Sequence, residues 1–372
     1  MKLAIITHVS HLQEKGTFFG YSAYVREMNI WSKYAAELLI AAPLISGIPG
    51  NIHLGYDHKN IRFFKTPPMA FTSIAKAIQT LFLLPVISFQ LWQVMRKADH
   101  IHLRCPGTLG LLGCFIQILF PKKPKTAKYA GNWDPNAEQP FSYRLQKRLL
   151  SNTFLTRNMK VLVYGDWDNQ THNIEPFFTA SYPKSKVYTP VEKTLEAPFK
   201  FVFVGTLSPG KQPEYALQMV YELQKNEIPC SLNYFGEGEK RIFLEEYIKD
   251  HGLKDSVILH GNVTAEIVLE VYKKSHFLIL PSKSEGWPKV VAEAMFWGCI
   301  PMATQVSCVS WMLGHGERGL LLSNDLSQDV AAVMTLLSDS SQYGKMTVAA
   351  QKWSHNYTLD DFENAIKELL VS

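Results

Sequence analysis

The sequence predicts an α/β protein made of two doubly wound parallel sheets in series. Three observations carry that prediction. Short apolar runs alternate with longer helical segments, the alternation occurs in both halves of the chain, and a proline-rich stretch separates the halves. Strand–helix units repeated with short connections produce parallel strands, because each crossover returns the chain to the same end of the sheet. A length of 372 residues suits two domains at about 100–200 residues each. With 47% apolar and 19% charged residues, a disordered chain is excluded.

Taken in order, LAIITH (3–8) is the first strand. It has only four contiguous apolar residues before polar ones begin, too few for a signal-peptide core and suited to a buried strand. A helix near 21–35, strands LLIAAP (38–43) and IRFFK (61–65), a helix near 74–97, and strands HIHLR (100–104) and VLVYG (161–165) follow. Residues 77–95 carry no charge, which is long enough to span a bilayer. Gln79, Gln90, Gln93 and Pro85 within it argue instead for a helix packed on a sheet with one face near a membrane. The stretch 105–121 is also uncharged, and Gly107, Gly110 and Gly113 point to close helix packing rather than spanning.

Residues 181–198 carry three prolines and mixed charge and read as the connection, with the linker proper at 189–198. The second half is more regular: strands FKFVFVG (199–205), SLNYFG (231–236), VILHG (257–261), FLILP (277–281) and IPMAT (300–304) alternate with helices at 212–226, 238–250, 264–274 and 288–297. The division is thus a Rossmann-like domain at 1–188, a linker at 189–198, a second Rossmann-like domain at 199–357, and a helix at 358–372 that returns to the first domain.

Charge is unevenly distributed. Residues 1–190 hold 22 Lys and Arg against 10 Asp and Glu, a net +12, and residues 191–372 hold 16 against 23, a net −7. Such asymmetry points to a polyanionic partner for the first half: nucleic acid, an anionic membrane surface or a phosphorylated substrate. Lys122, Lys123, Lys125 and Lys128 form one basic cluster. Arg144, Lys147, Arg148, Arg157 and Lys160, interleaved with Leu145, Leu149, Leu150, Phe154 and Leu155, form another that suits a helix on anionic lipid. No helix-turn-helix, zinc-finger or aromatic RNA-binding pattern supports nucleic acid. The five cysteines have neither CxxC nor zinc spacing, and a reducing cytoplasm follows.

Chemistry concentrates at 281–301, PSKSEGWPKVVAEAMFWGCIP. A strand ends, a loop follows, and Pro288 stands as the first residue of a helix. Ligands of open α/β sheets bind at the carboxyl ends of strands. Glu285 in the loop and Glu293 in the helix are eight residues apart and face one elongated ligand, whose anionic group would meet the helix N-terminus.

This Glu–x7–Glu, with FVGTLSPGK (203–211), FGEGEK (235–240), VILHGNV (257–263) and LPSKSEG (280–286), resembles the donor site of family-4 glycosyltransferases of the GT-B fold, over residues 199–323. The resemblance implies two Rossmann-like domains facing each other across a cleft. It implies that Glu285 contacts hydroxyls of the donor sugar, that backbone following it at Gly286 and Trp287 contacts phosphate or sugar, and that Glu293 holds the ribose diol. It places Lys211 on the nucleotide diphosphate, with Gly205 and Ser282 at the flanking strand ends. Thr206 stands where the family usually has Arg, which removes a bidentate phosphate donor, and Lys289 is the candidate substitute. Pro288 lacks an N–H where the family often has Gly. Gly238, with Gly236, forms a turn that approaches the nucleotide, and Asn262 and Val263 frame the nucleobase.

In the first half the resemblance implies a glycine-rich loop, supplied by Gly16 and Gly20, and a histidine near the donor sugar that is not evident. Asn132 or Asp134 stands at its place, and Asp134 could hold a sugar or acceptor hydroxyl. His8 and His11 lie near the first loop. The Asp-x-Asp at Asp166–Asp168 has the wrong context for a metal motif, and no metal is expected.

The implied activity is retaining transfer of a hexose from a nucleotide-diphosphate sugar, as co-substrate, to a glycan or lipid-linked acceptor in bacterial surface-glycan assembly. It would proceed by front-face attack, with no cofactor, in the cytoplasm or at the inner face of its membrane. The alternatives are a catalytically decayed sugar-nucleotide-binding protein and a sugar-nucleotide epimerase on the same fold.

Overall fold

The computed structural model describes residues 1–50, 52–67, 69 and 74–371, and the chain divides into two compact units. The first holds Met1–Phe177 with the residues from Glu363 on, and the second holds Phe178–Phe362.

The first unit is built from β1 (Lys2–Ile6), β2 (His11–Glu14), β3 (Thr17–Tyr21), α1 (Ser22–Ser32), β4 (Glu37–Pro43), β5 (His53–Gly55), β6 (Ile61–Thr66), α2 (Ile74–Lys97), β7 (His100–Cys105), α3 (Thr108–Ile116), β8 (Lys125–Tyr129), α4 (Phe141–Leu150), β9 (Met159–Tyr164) and β10 (Ile174–Phe177). Its main sheet runs β10-β9-β8-β7-β1-β4-β6, with every neighbouring pair parallel. Strands β1 and β4 are almost wholly buried, as continuous apolar runs covered on both faces should be. Helix α2 presents Ile87, Leu91, Val94 and Met95, at helical spacing, to the core shared with Leu103, Cys114 and Val161. Among the described residues no helix is long and apolar enough to cross a membrane.

Two parts of this unit differ from the sequence reading. Residues 11–21 form an antiparallel hairpin, β2–β3, extended by β5, in place of a glycine-rich loop running into a helix. Lys15 and Gly16, both with positive φ, make its two-residue turn. Gly20 lies inside β3, where a Cβ would stand 3.0 Å from Val25. The lysine cluster is largely internal. Lys125 and Lys128 lie in β8 and are 2% and 0% exposed, and Lys123 Nζ donates to the carbonyls of Met95, Arg96 and Ala98 at the end of α2.

The second unit contains β11 (Phe199–Val204), α5 (Pro213–Lys225), β12 (Cys230–Phe235), α6 (Arg241–Asp250), β13 (Val257–Leu259), α7 (Ala265–Lys274), β14 (Phe277–Leu280), α8 (Lys289–Phe296), β15 (Ile300–Thr304), α9 (Val309–Met312), β16 (Leu320–Leu322), α10 (Leu326–Leu337) and α11 (Ser340–Ser354). The last helix, α12 (Leu359–Val371), begins in this unit and ends in the first. The sheet is parallel throughout, in the order β13-β12-β11-β14-β15-β16. Helix α11 packs on α8 and fixes its outer face, with Ser354 Oγ donating to Ala292 O at 2.6 Å.

The stretch read as a connection is packed onto the second unit. Tyr188 Oη donates to Phe296 O, and Lys193 Nζ donates to the carbonyls of Tyr272 and Ser275. Gln351 bonds Val191 through both its backbone N–H and its carbonyl. The break between compact units accordingly falls at 177/178.

Candidate functional site

In the second unit the chain direction reverses around β11. Strand β12 lies on one side and β14 on the other, which makes the carboxyl ends of β11 and β14 the switch point at which open α/β sheets take their ligands. The sequence fills that place with glycines and charged residues. Three backbone bonds zip the loop after β11 to the loop after β12: Gly205 N to Phe235 O, Leu207 N to Glu237 O, and Lys240 N to Leu207 O. The glycines explain how two backbones come so close. A Cβ on Gly236 would sit 1.9 Å from Gly205 O, and one on Gly238 would sit 2.4 Å from Leu207 O. Gly205 and Gly236 also have positive φ.

The loops after β11 and β14 are joined in turn. Lys283 N donates to Gly210 O at 2.9 Å, and Lys211 Nζ forms an ion pair with Glu285 Oε1. Glu285 is largely buried, and Lys211 is about one-third exposed. Of the pair, the carboxylate is therefore the more enclosed and the cation the more open to solvent. The backbone around Glu285 is held from beneath. Gly286 O accepts from Ser307 Oγ at 3.0 Å and from Cys308 Sγ at 3.2 Å, and Ser282 O accepts from Thr304 Oγ1. Burial, reinforced by the Glu285 charge, pushes the Cys308 thiol up to about 12, so it stays protonated as a donor. The Ser282 hydroxyl is buried and has no hydrogen-bond partner among the described residues.

The other expected donor residues are placed less uniformly. Thr206 and Asn262 are exposed on the loops after β11 and β13, and Val263 is half-buried beside Asn262. Pro288 is the N-cap of α8 rather than its first helical residue. Trp287 is buried in an aromatic cluster with Trp311, Trp353, Tyr357 and Phe178, which anchors the loop from behind. Glu293 Oε1 accepts a hydrogen bond from Ser181 Oγ at 2.5 Å. It lines a cavity of about 10 Å3, room for about one water, together with Tyr182, Trp287 and Lys289. Thus Lys211 and Glu285 are brought together, whereas Glu293 and Lys289 share a separate small cavity. The difference arises because residues 179–182 pass over α8, a contact with no signal in local sequence.

In the first unit the direction reverses at β1, between β7 and β4. The His8 ring lies on Gly107, where a Cβ would meet its Nδ1 at 2.4 Å. Gly131, before Asn132, abuts Pro106. His8, Gly107 and Gly131 thus bring the loops after β1, β7 and β8 side by side. Asn132 and Asp134 build the last of these: Asn132 Oδ1 accepts from Asp134 N and Asp134 Oδ1 from Asn136 N, while Lys147 Nζ donates to Asp134 O. Gly16 sits at the tip of the β2–β3 hairpin, where a Cβ would meet nothing within 4 Å. His11 is buried, bonded to Tyr56 Oη and Val9 O. Asp166 and Asp168 belong to a turn after β9 in which Trp167 Nε1 donates to Tyr164 O. Among the described residues no group of three His, Cys, Asp or Glu could hold a metal ion.

One charged group escaped the sequence reading. Glu27 of α1 pairs with Arg104 at 2.9 Å and Lys128 at 3.2 Å, all three essentially buried near the carboxyl ends of β7 and β8. Burial opposes the Arg104 charge, but Glu27, Tyr164 and Tyr24 hold its pKa above the ordinary value. The only signal available was a charged residue within each of two predicted or missed strands.

Comparison with known proteins bears on the family and the fold. Residues 188–353 match the family model described as glycosyl transferases group 1. Alpha-D-kanosaminyltransferase of Streptomyces kanamyceticus is 25% identical over 174 residues, which is 45% of each chain. The chain spans about half the length of the curated relatives it matches. The apo structure of the lipopolysaccharide outer core galactosyltransferase WaaB superposes with a TM-score of 0.70 at 13% identity, over 100% of this chain and 99% of that one. Anabaena Alr3699/HepE in complex with UDP gives 0.67 at 15% identity, over 100% of both. The fold is GT-B, with two Rossmann-like units.

Proposed function

From the match of residues 188–353 to the glycosyl transferases group 1 model, we propose that this chain is a retaining, metal-independent hexosyltransferase. It moves a sugar from a nucleotide-diphosphate sugar to a glycan or lipid-linked acceptor in surface-glycan assembly. The observation that carries the reading is the Lys211–Glu285 pair, which sets a cation and a carboxylate at the switch point on two loops locked together by backbone bonds.

Donor binding would draw Lys211 onto the diphosphate and Glu285 onto the sugar hydroxyls, whose O–H groups it accepts. In the transfer step the acceptor oxygen bonds to the anomeric carbon as the bond from that carbon to the phosphate oxygen breaks. The acceptor proton passes to the departing phosphate on the same face. Charge grows on the diphosphate, and Lys211 with the amino end of α8 stabilises it. The acceptor is received by the first unit, near Asn132, Asp134 and His8.

We further propose contact with an anionic membrane surface from the cytoplasmic side. It is supported by α2, whose outward face carries Leu81, Phe82, Val86 and Phe89, with Phe82 79% and Phe89 58% exposed, and ends in Arg96 and Lys97.

UDP, the nucleotide in the Anabaena complex, is the first ligand to test, followed by UDP-glucose. UDP should raise the melting temperature by mass action. Glu285→Gln should lower kcat for transfer or hydrolysis by about 100-fold while keeping UDP affinity, and Lys211→Met should weaken UDP by about tenfold. UDP, GDP, ADP and TDP all failing to stabilise the protein, or wild-type turnover in Glu285→Gln, would overturn the proposal. A second reading, binding without transfer, is favoured by Thr206 where a bidentate cation would serve, and it requires sugar-nucleotide affinity with no turnover.

A further inference from the structure

The amino ends of β7, β8, β9 and β10 surround a cavity of about 520 Å3, on the edge of the first sheet opposite to the loops after β1, β7 and β8. Lys122, Lys125, Arg157 and Lys160 line it, and the single carboxylate in the lining is Glu175. Four cations against one anion is an unusual lining, and the neighbouring Lys123 shows what an ordinary structural role looks like. Its Nζ donates to three carbonyls at the end of α2, which complement the helix dipole. Lys125 is different. It is 2% exposed, one carbonyl, Phe120 O, takes its Nζ at 2.8 Å, and among the described residues no carboxylate lies within ion-pair distance of it. A buried cation without a counter-charge is costly unless something else supplies the charge.

We propose that this cavity binds a phosphate ester, with the phosphate held by Lys122, Lys125, Arg157 and Lys160 and the carbon portion against Pro124, Met159 and Leu369. Arg157 and Lys160 are exposed, Arg157 resting over the Phe154 ring at 4.6 Å, and Arg suits the bidentate geometry of phosphate. Glu175 takes up part of the Lys160 charge at 3.3 Å, which leaves the cavity cationic overall. Other lining groups are committed elsewhere: Asn173 Nδ2 donates to Leu150 O, Asn158 Nδ2 to Pro121 O, and His100 Nε2 meets Thr126 Oγ1. These bonds fix the polar groups between the cations, while Lys122, Arg157 and Lys160 remain exposed beside the buried Lys125. Burial lowers the Lys125 pKa to about 8, and a bound phosphate would raise it again by supplying the missing counter-charge. The site uses both basic segments of the first half, from residues far apart in sequence, and it is separate from the switch point of the second unit. It thus stands or falls independently of the transferase reading.

The phosphate ester could be a free metabolite or a lipid headgroup, and glycerol 3-phosphate and phosphatidate share the relevant chemistry. The full-length protein, labelled with 13C at lysine Cε, is titrated with glycerol 3-phosphate and with phosphatidylcholine vesicles containing or lacking phosphatidate. The Lys125 resonance, assigned with Lys125→Arg, is the local readout. Binding should shift it and raise its apparent pKa by about one unit. In Arg157→Ala/Lys160→Ala, two exposed positions, affinity should fall by about tenfold or more, while UDP binding stays at the wild-type level. A shift with glycerol 3-phosphate supports a soluble ligand, and a shift only with phosphatidate vesicles supports a lipid headgroup. No shift with either up to about 10 mM phosphate ester overturns the proposal, as does an equal shift with sulfate or an unchanged affinity in the double variant.

Discussion

Gly236→Ala tests the loop pairing on which the candidate site rests. The added Cβ would lie 1.9 Å from Gly205 O and 2.8 Å from Gly205 C. Non-bonded heavy atoms settle near 3.5 Å, so one loop must retreat by about 1.5 Å. Neither can do so cheaply, because Gly205 N and Leu207 N are bonded across to Phe235 O and Glu237 O, and Gly236 N is bonded to Gly261 O. The φ of +148° adds backbone strain for any residue with a Cβ. Overpacking costs about 1–3 kcal/mol and strained φ/ψ about 1–3 kcal/mol, so the expected loss is about 2–6 kcal/mol. Gly210→Ala is the matched control, since a Cβ there meets nothing within 4 Å, and its change should stay within about 0.5 kcal/mol. Urea unfolding with constant m-values reads both numbers. UDP titration then asks whether the displaced loop carries Lys211 away from its place. A Gly236→Ala protein within about 0.5 kcal/mol of wild type, or one that is destabilised yet binds UDP normally, would refute the reasoning that this contact positions the site.

Two further outcomes are expected. Burial lowers the pKa of His11 and His100 to about 4 and of His102 to about 3, so the folded protein keeps them neutral where the unfolded chain, titrating near 6.5, takes up protons. The unfolded state then binds more protons between pH 6.5 and 4, so stability falls on acidification through that window, by on the order of 2 kcal/mol per histidine. Unfolding midpoints that stay flat from pH 7 to 4.5 would contradict this. At the membrane, Phe82→Ser/Phe89→Ser should reduce partitioning onto anionic vesicles by about tenfold, from the loss of two apolar anchors. Salt should weaken the wild-type interaction as well. Equal partitioning of variant and wild type would remove α2 from the membrane contact while leaving soluble turnover intact.

Legibility followed the physics of burial. In the second unit four of the five expected strands are mainly apolar runs closed by Gly or Pro, and the expected 199–205, 231–236, 257–261, 277–281 and 300–304 match β11 to β15 to within two residues at each end, whereas β16 was not foreseen. The Glu285 loop was found because strand, turn and helix signals converge on it. Strand β8 was missed because KTAKY looks like a polar segment, although all five residues are buried. The hairpin at 11–21 was missed because its turn, Lys15–Gly16, depends on two positive φ values and its pairing partner, β5, lies more than thirty residues on.

From the sequence alone came the two-sheet α/β class, the order of elements from 199 to 304, the placing of Glu285 at a strand end, and the excess of basic residues in the first half. All of these rest on local periodicity and composition, which a chain displays before it folds. The tertiary structure alone decided what the charges do. It turned Lys128 and Arg104 inward onto Glu27, spent Lys123 on a helix end, directed Glu293 to Ser181, and left Lys122, Lys125, Arg157 and Lys160 around one cavity. A charge count adds these residues together. Their separation into counter-charged core and open cavity depends on which strand lies beside which, and that is set only when the sheet closes.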